Sequence, residues 1–207
     1  MKKPYMIEAC VETVEEAVYA QENGADRIEL CANLEQDGLT PPFELVREVI
    51  AQVSIPVFAM IRPHGGPFHY SIHDINVMHR TIFMYQSLGV KGFVTGILDY
   101  RNLPDIDLIN RLVRSAEPLP VTFHKAIDQT SDILQAASLL SQHTDIRAIL
   151  TSGGKPDAWQ GREQIRQLIR RMGKRIQIIA AGRITQANLP DIHKVIQAEV
   201  YHGRRIV

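Results

Sequence analysis

In the stretch Arg27-Ile28-Glu29-Leu30-Cys31, polar and apolar residues alternate over five consecutive positions. Side chains along a β-strand point alternately to opposite faces, so Ile28 and Leu30 share one face while Arg27, Glu29 and Cys31 share the other. An ordinary half-buried strand would expose this polar face to water. A strand in a closed barrel would direct this polar face into the lumen. The stretch therefore predicts a closed barrel.

The same pattern occurs in an earlier segment, residues 6–10. There Glu8 and Cys10 share one face, and Ile7 and Ala9 share the opposite one. Both segments therefore end in a carboxylate, a spacer and a thiol. If the chain closes into a barrel, both pairs face the lumen near its carboxyl-terminal mouth.

The rest of the chain repeats a unit of one strand followed by one helix. Short apolar runs alternate with longer segments that begin at capping residues or proline and end near glycine. The predicted strands are 6–10, 27–31, 56–61, 92–95, 120–123, 148–151, 177–180 and 199–202. The predicted helices are 14–23, 42–53, 71–88, 105–116, 130–142, 158–172 and 185–196.

Eight strands and seven helices predict one α/β domain over residues 1–207, a TIM (β/α)8-type barrel that lacks the eighth helix. The alternative is an open doubly wound sheet. Such sheets usually carry a glycine-rich fingerprint at the first turn between strand and helix, and residues 10–13 contain no glycine. The missing helix leaves the outer face of the last strand uncovered, and a subunit interface would cover it.

Charge and cysteine usage exclude several classes of function. The 207 residues carry 23 lysines and arginines against 23 acidic residues, so no net charge attracts nucleic acid or anionic membrane. The first residues do not form a signal peptide, no later segment is long and apolar enough to span a bilayer, and two cysteines do not make a disulfide framework. We therefore expect a cytoplasmic protein with no nucleic-acid or membrane partner.

The two thiols indicate a metal site. Cys10 and Cys31 end adjacent strands, which lie about 4.8 Å apart, so one ion can bridge both sulfurs. Thiolate and imidazole suit copper(I) or zinc. The alternatives are that both cysteines are small buried apolar residues, and that Glu8, Glu29 and Arg62 form only a polar core of salt bridges.

A second group of residues indicates an anion site. TIM barrels often bind phosphate at loops after the late strands, where backbone N–H groups and a helix start converge. The candidates are Ser152, Gly153, Gly154, Gly182, Arg183 and Gly203, with Thr185 at the predicted helix start and Arg62 at the end of the third strand. A small anionic or phosphorylated metabolite is the expected ligand.

The fifth predicted strand ends at a candidate catalytic residue, His124. In this hypothesis His124 is a general acid or base, with Asp128 or Glu29 orienting it. Glu29 is the second candidate catalytic residue, for proton transfer. A hydrogen-bonded core histidine is the alternative interpretation of His124.

Several of these segments together resemble the CutC family. They are residues 26–31, 38–41, 61–63 with 65–66, 123–124 with 126 and 128, and 150–154. The resemblance implies a cytoplasmic TIM barrel that forms dimers or higher oligomers such as tetramers and acts in copper homeostasis. It also implies that copper(I) is the bound metal and that Cys10 and Cys31 are its ligands. Three hypotheses follow: a copper-binding protein without turnover, a TIM-barrel enzyme of unidentified activity, and a scaffold that works by oligomerising, which only the missing helix supports.

Overall fold

Residues 3–207 are described by a computed structural model and form a barrel of eight parallel strands. The strands are β1 (Met6–Val11), β2 (Arg27–Leu30), β3 (Val57–Met60), β4 (Gly92–Thr95), β5 (Val121–Phe123), β6 (Ala148–Thr151), β7 (Gln177–Ala180) and β8 (Val200–Gly203). Each strand pairs with the next, and β8 pairs with β1 in the register Glu8 to His202. The TIM-barrel prediction is therefore confirmed.

Seven α-helices alternate with these strands. They are α1 (Val14–Glu22), α2 (Phe43–Gln52), α3 (Ile72–Leu88), α4 (Ile106–Ala116), α5 (Ile133–His143), α6 (Arg162–Met172) and α7 (Leu189–Ile196). No eighth α-helix follows β8 in the described chain, as predicted. None of the helices within residues 3–207 has the length and apolar character needed to cross a membrane.

Three helices begin later than the sequence predicts, because local hydrogen bonds favour turns at their starts. Before α5, residues 125–129 form a 3-10 turn and Asp132 caps the helix. The start of α6 moves to residue 162, after Gly161. Thr185 does not cap α7, since it forms a bridge with Arg205 and the helix begins only at residue 189. The prediction of a helix N-terminus at Thr185 is wrong.

Alternation along the strands creates two interiors. Outward-facing side chains such as Ile28 and Phe93 pack between the barrel and its helices and form the main core. The lumen contains two smaller apolar clusters. One comprises Cys10, Cys31, Phe58, Met60 and Val94, and the other Ala148, Leu150, Ile179, Ala181 and Val200. Because Cys31 belongs to the first lumen cluster, the polar face of residues 27–31 points inward, as predicted.

The outer face of β8 is covered by the chain itself. Tyr201 is completely buried, and its ring centroid lies 5.3 Å from that of Tyr5 and 5.5 Å from that of His193 on α7. Its hydroxyl oxygen accepts a hydrogen bond from the Ala198 N–H at 2.9 Å and lies 2.8 Å from His193 Nδ1. The absent helix therefore does not require a partner subunit at this position.

We expect Tyr201→Ala to lower the free energy of unfolding by about 3–5 kcal/mol, because a fully buried ring leaves a cavity that the barrel cannot close. Tyr201→Phe keeps the ring but removes both hydroxyl contacts, and a smaller loss of about 1 kcal/mol is expected. Urea unfolding followed by circular dichroism measures both. Equal stability of wild type and Tyr201→Ala would show that another element covers this face.

Candidate functional site

A cavity of about 540 Å³ opens at the carboxyl-terminal mouth of the barrel. This volume is in the range of sites that bind small molecules. The predicted metal-binding and catalytic residues all line it, namely Cys10, Glu29, Cys31 and His124. Of the predicted anion-binding residues, Arg62, Ser152, Gly154, Gly182, Arg183 and Gly203 also line it, whereas Gly153 does not.

The two thiols lie side by side on the cavity wall. Cys10 Sγ and Cys31 Sγ are 3.9 Å apart, and Cys31 Sγ lies 3.6 Å from Glu29 Oε2. Cys31 is fully buried, and Cys10 is 7% exposed. One sulfur from each cysteine and one Glu29 oxygen lie within 4.8 Å of one another, so these three residues can contact one metal ion.

Beside the thiols, a buried charged network links β1, β2 and β8. Arg27 Nε donates to Glu8 Oε2, and His202 Nδ1 lies 2.9 Å from Glu8 Oε1. His202 Nε2 faces Glu29 Oε2 at 3.6 Å. For Glu8, this arrangement matches the salt-bridged polar core that the sequence left open, because two cationic partners hold its carboxylate.

The network shifts the pKa values of its members in opposite directions. Burial alone would raise the pKa of Glu8, but the hydrogen bond with His202 and the charge of Arg27 hold it below its usual range. Burial lowers the pKa of His202, yet the Glu29 carboxyl, the Cys10 thiol and Glu8 together raise it well above its usual value. Burial raises the pKa of Glu29, against the effect of His202. His202 therefore favours its cationic form, and Glu29 its protonated form, more than the free side chains do.

The two thiols share this environment unequally. The hydrogen bond with Cys31 lowers the pKa of Cys10 to about 5, with His202 acting in the same direction against burial. The same hydrogen bond and burial raise the pKa of Cys31 well above its usual range. The pair therefore holds one proton at neutral pH, and Cys10 is the thiolate that balances the His202 cation.

His124 is held as a neutral imidazole. It is 5% exposed, and its Nδ1 accepts a hydrogen bond from the Ala126 N–H at 3.1 Å. Burial and the charge of Arg62 lower its pKa to about 3. The ring fits only because residue 96 is glycine, since a Cβ there would lie 2.5 Å from His124 Nδ1. The acceptor role of Nδ1 places the ring proton on Nε2.

Asp128 does not orient His124, so that part of the sequence hypothesis is wrong. Its carboxylate accepts hydrogen bonds from the Thr151 hydroxyl, from the N–H and hydroxyl of Ser152, both at 2.9 Å, and from the Gly154 N–H at 2.8 Å. The Gly153 N–H donates to Thr151 Oγ1 at 2.8 Å. Of the backbone donors that were predicted to bind a ligand anion, those of Ser152 and Gly154 are therefore occupied by the chain's own carboxylate, and that of Gly153 by a hydroxyl.

The loops after β7 and β8 place cations at the cavity rim instead of a helix N-terminus. Arg183 is exposed, with φ of 54°, and its carbonyl accepts from Asn188 Nδ2 at 3.0 Å. The Gly182 carbonyl accepts from the Ala158 N–H at 3.0 Å. Beyond Gly203, Arg204 also lines the cavity, and its guanidinium pairs with Glu16 at 3.4 Å and with Glu12 at 3.8 Å. These loops contribute charge to the cavity entrance.

Arg62 is buried at the end of the segment that follows β3. Its Nη1 donates to the carbonyls of Gln36 at 2.9 Å and Gly38 at 3.2 Å, and its Nη2 donates to the carbonyl of Gly66 at 3.2 Å. Its guanidinium carbon lies 4.7 Å from the ring centroid of Phe68. Arg62 therefore joins the loops after β2 and β3 while it lines the cavity.

The chain is similar in sequence to known proteins over nearly its whole length. A model of the CutC family matches residues 5–206. The chain belongs to the CutC family. A CutC family protein of Histophilus somni is 35% identical over 196 residues, which cover 95% of this chain and 80% of that protein. A human copper homeostasis protein cutC homolog is 39% identical over 198 residues, which cover 96% of this chain and 72% of the human protein.

The fold of this CutC-family protein also matches a solved relative. The CutC structure from Streptococcus agalactiae superimposes with a TM-score of 0.92 at 28% identity. The superposition covers 98% of this chain and 100% of the other. The barrel fold is therefore shared with this relative.

Two residues at the site carry little signal in the sequence. His202 ends the eighth predicted strand, and its contact with Glu8 depends on the pairing of β8 with β1. Phe68 gave no signal at all, because it lies in the irregular loop between β3 and α3 and its contact with His124, 4.9 Å between ring centroids, depends on the fold.

Proposed function

We propose that this CutC-family protein acts in copper homeostasis in the cytoplasm and binds copper(I) through Cys10 and Cys31. The observation that supports this most is the 3.9 Å separation of the two sulfurs on the cavity wall. Metal–thiolate bonds are about 2.3 Å long, so one ion can hold two sulfurs up to about 4.6 Å apart. Family membership and the name of the human relative favour copper as the metal.

The surroundings of the sulfurs fit a soft monovalent ion. Thiolates suit copper(I), whereas the nearby Glu29 carboxyl is a hard ligand whose pKa is raised by burial. Cys10 already carries the thiolate, and Met60 and Phe58 shield the pair with apolar contacts. Binding then requires the loss of only the proton that Cys31 retains.

We expect the affinity for copper(I) to rise about tenfold for each pH unit between pH 6 and 8, because binding releases one proton. The sign follows from Cys31, whose raised pKa keeps its thiol protonated over this range while Cys10 is already ionised. Competition against a copper(I) chelator of known pH dependence, under anaerobic reducing conditions, measures the slope and the stoichiometry of one ion per chain. An affinity that does not change with pH would contradict the release of one proton. Tighter binding of zinc than of copper(I) would contradict the assignment of copper as the metal.

A second candidate function is that of an enzyme acting on a small anionic or phosphorylated metabolite. The cavity of about 540 Å³ supports it, because this volume far exceeds what one ion needs. In this proposal Glu29 supplies a proton. His124 donates a hydrogen bond through Nε2 and does not act as a base. A thermal-shift screen of phosphate esters and sugar acids tests it, and a screen without any stabilising compound would count against it.

The expected homo-oligomer, a dimer or tetramer, stays a prediction that rests on the family resemblance. The absence of the eighth helix no longer supports it, since Tyr201 on the outer face of β8 is buried within its own chain.

A further inference from the structure

Arg62 is a buried cation without a counterion. It is 3% exposed and makes no ion pair with any carboxylate in the described part of the chain, residues 3–207. Three backbone carbonyls accept from its two terminal nitrogens, but its Nε–H has no partner. A buried charge is normally neutralised by an opposite charge. This guanidinium is therefore a candidate for binding an anion.

His124 is a second unpartnered donor beside it. Because Nδ1 accepts the Ala126 N–H, the neutral ring carries its proton on Nε2. Nε2 is buried and has no hydrogen-bond partner among the described residues. An unsatisfied buried donor is costly, which makes it a candidate for contact with a ligand acceptor.

Phe68 lies beside both of these residues. Its ring centroid lies 4.7 Å from the guanidinium carbon of Arg62 and 4.9 Å from the ring centroid of His124. All three side chains line the cavity. The site therefore combines one uncompensated positive charge, two directed N–H donors and one aromatic ring.

Elsewhere in the cavity, the expected anion cradle is already filled. The N–H groups of Ser152 and Gly154 donate to Asp128, so that loop presents a carboxylate to a ligand instead of free donors. The exposed cations Lys125, Lys155 and Arg183 line the cavity and attract an anion toward the mouth without fixing its orientation. Arg62 and His124 are the inner donors that such a ligand meets.

We propose that Arg62 and His124 form a subsite for the carboxylate group of a small organic acid, with Phe68 packed against it. A carboxylate carries one charge and has two oxygens, which matches one guanidinium and two N–H donors. A phosphate carries more charge and needs more donors than this site has free. This proposal rests on the second candidate function, names the group its ligand carries, and does not involve copper.

The direct test is an NMR titration of the metal-free full-length protein at pH 7 and constant ionic strength. Acetate is the probe, and inorganic phosphate is the comparison. We expect acetate to shift the Arg62 Nε–H and His124 Nε2–H resonances with saturation in the millimolar range, as suits so small a ligand. The spectrum of the free protein should show His124 protonated on Nε2 only. Protonation of His124 on Nδ1, or saturation by phosphate at lower concentration than by acetate, would overturn the proposal.

Two variants of His124 separate hydrogen bonding from packing. His124→Gln keeps an N–H donor near the position of Nε2, and we expect acetate affinity within about threefold of wild type. His124→Phe keeps a ring without a donor and should weaken binding about tenfold or more. Equal affinities in wild type and His124→Phe would overturn the proposal, and the wild-type resonances decide the matter even if the variant does not fold.

The same titration separates this proposal from the function on which it rests. If either anion shifts amide signals in the loops after β6, β7 and β8 but leaves Arg62 and His124 unchanged, the carboxylate subsite is wrong while the anionic-ligand function stands. If neither anion shifts any cavity resonance, and the screen of phosphate esters and sugar acids also finds nothing, both are wrong.

Discussion

In copper(I) competition titrations, the variants Cys10→Ala and Cys31→Ala are each expected to bind the ion about a hundredfold to a thousandfold more weakly than wild type. The size follows from zinc-finger sites, whose four thiolate and imidazole ligands bind zinc with about 10–16 kcal/mol, or about 2.5–4 kcal/mol for each ligand. Since 1.4 kcal/mol corresponds to a factor of ten, each lost sulfur costs two to three powers of ten. The chain has only these two cysteines, so no other thiol can replace either.

The matched control is Val94→Ala, which removes two methyl groups from the same lumen cluster without removing a sulfur. It should lower the melting temperature but keep the copper(I) affinity within a few-fold of wild type. Unchanged affinity in the double variant Cys10→Ala/Cys31→Ala would eliminate the thiol site. A loss in Val94→Ala as large as in the cysteine variants would mean that packing, and not ligation, determines the result.

The strands of this CutC-family barrel were predictable because their side-chain period is short and strict. Residues 27–31 and 6–10 each placed a carboxylate and a thiol on one face, and the pairing of β1 with β2 brought Cys10 and Cys31 together. Helix starts were less predictable, because several polar residues compete for the capping position. Thr185 is a residue type that often caps helices, but here it forms a β-bridge with Arg205. Helix α7 begins four residues later.

The candidate site was predictable in its residue types but not in its hydrogen bonds. Glycines at residues 153 and 154 indicated a loop that binds an anion, and the loop does bind one, the carboxylate of Asp128. The bond depends on the 3-10 turn after β5, which brings Asp128 to β6, and sequence spacing does not reveal it. The neutral state of His124 likewise depends on contacts that the sequence does not show. These are its burial, the charge of Arg62 and the hydrogen bond from the Ala126 N–H.

Arg27→Met is expected to lower the free energy of unfolding by about 3–5 kcal/mol, measured by urea denaturation at pH 7. Glu8 is 1% exposed, and removal of Arg27 leaves its carboxylate with His202 as the remaining cationic partner. Breaking one side of a buried ion pair costs this much because the other charge stays buried. The double variant Arg27→Met/Glu8→Gln removes both charges and should recover much of the loss, which a mere packing defect at Arg27 would not allow.

Acid unfolding gives an independent measure of the same pair. The pKa of Glu8 is lower in the folded chain than in the unfolded chain, so the unfolded state binds more protons as the pH falls. The stability that the ion pair contributes is therefore complete above about pH 4.3, the unfolded value for glutamate, and is lost as the pH falls through the lower folded pKa. In Arg27→Met the folded pKa rises, because burial then outweighs the remaining partner. The variant should lose less stability than wild type between pH 5 and pH 3, and parallel pH profiles would show that Arg27 does not stabilise the Glu8 carboxylate.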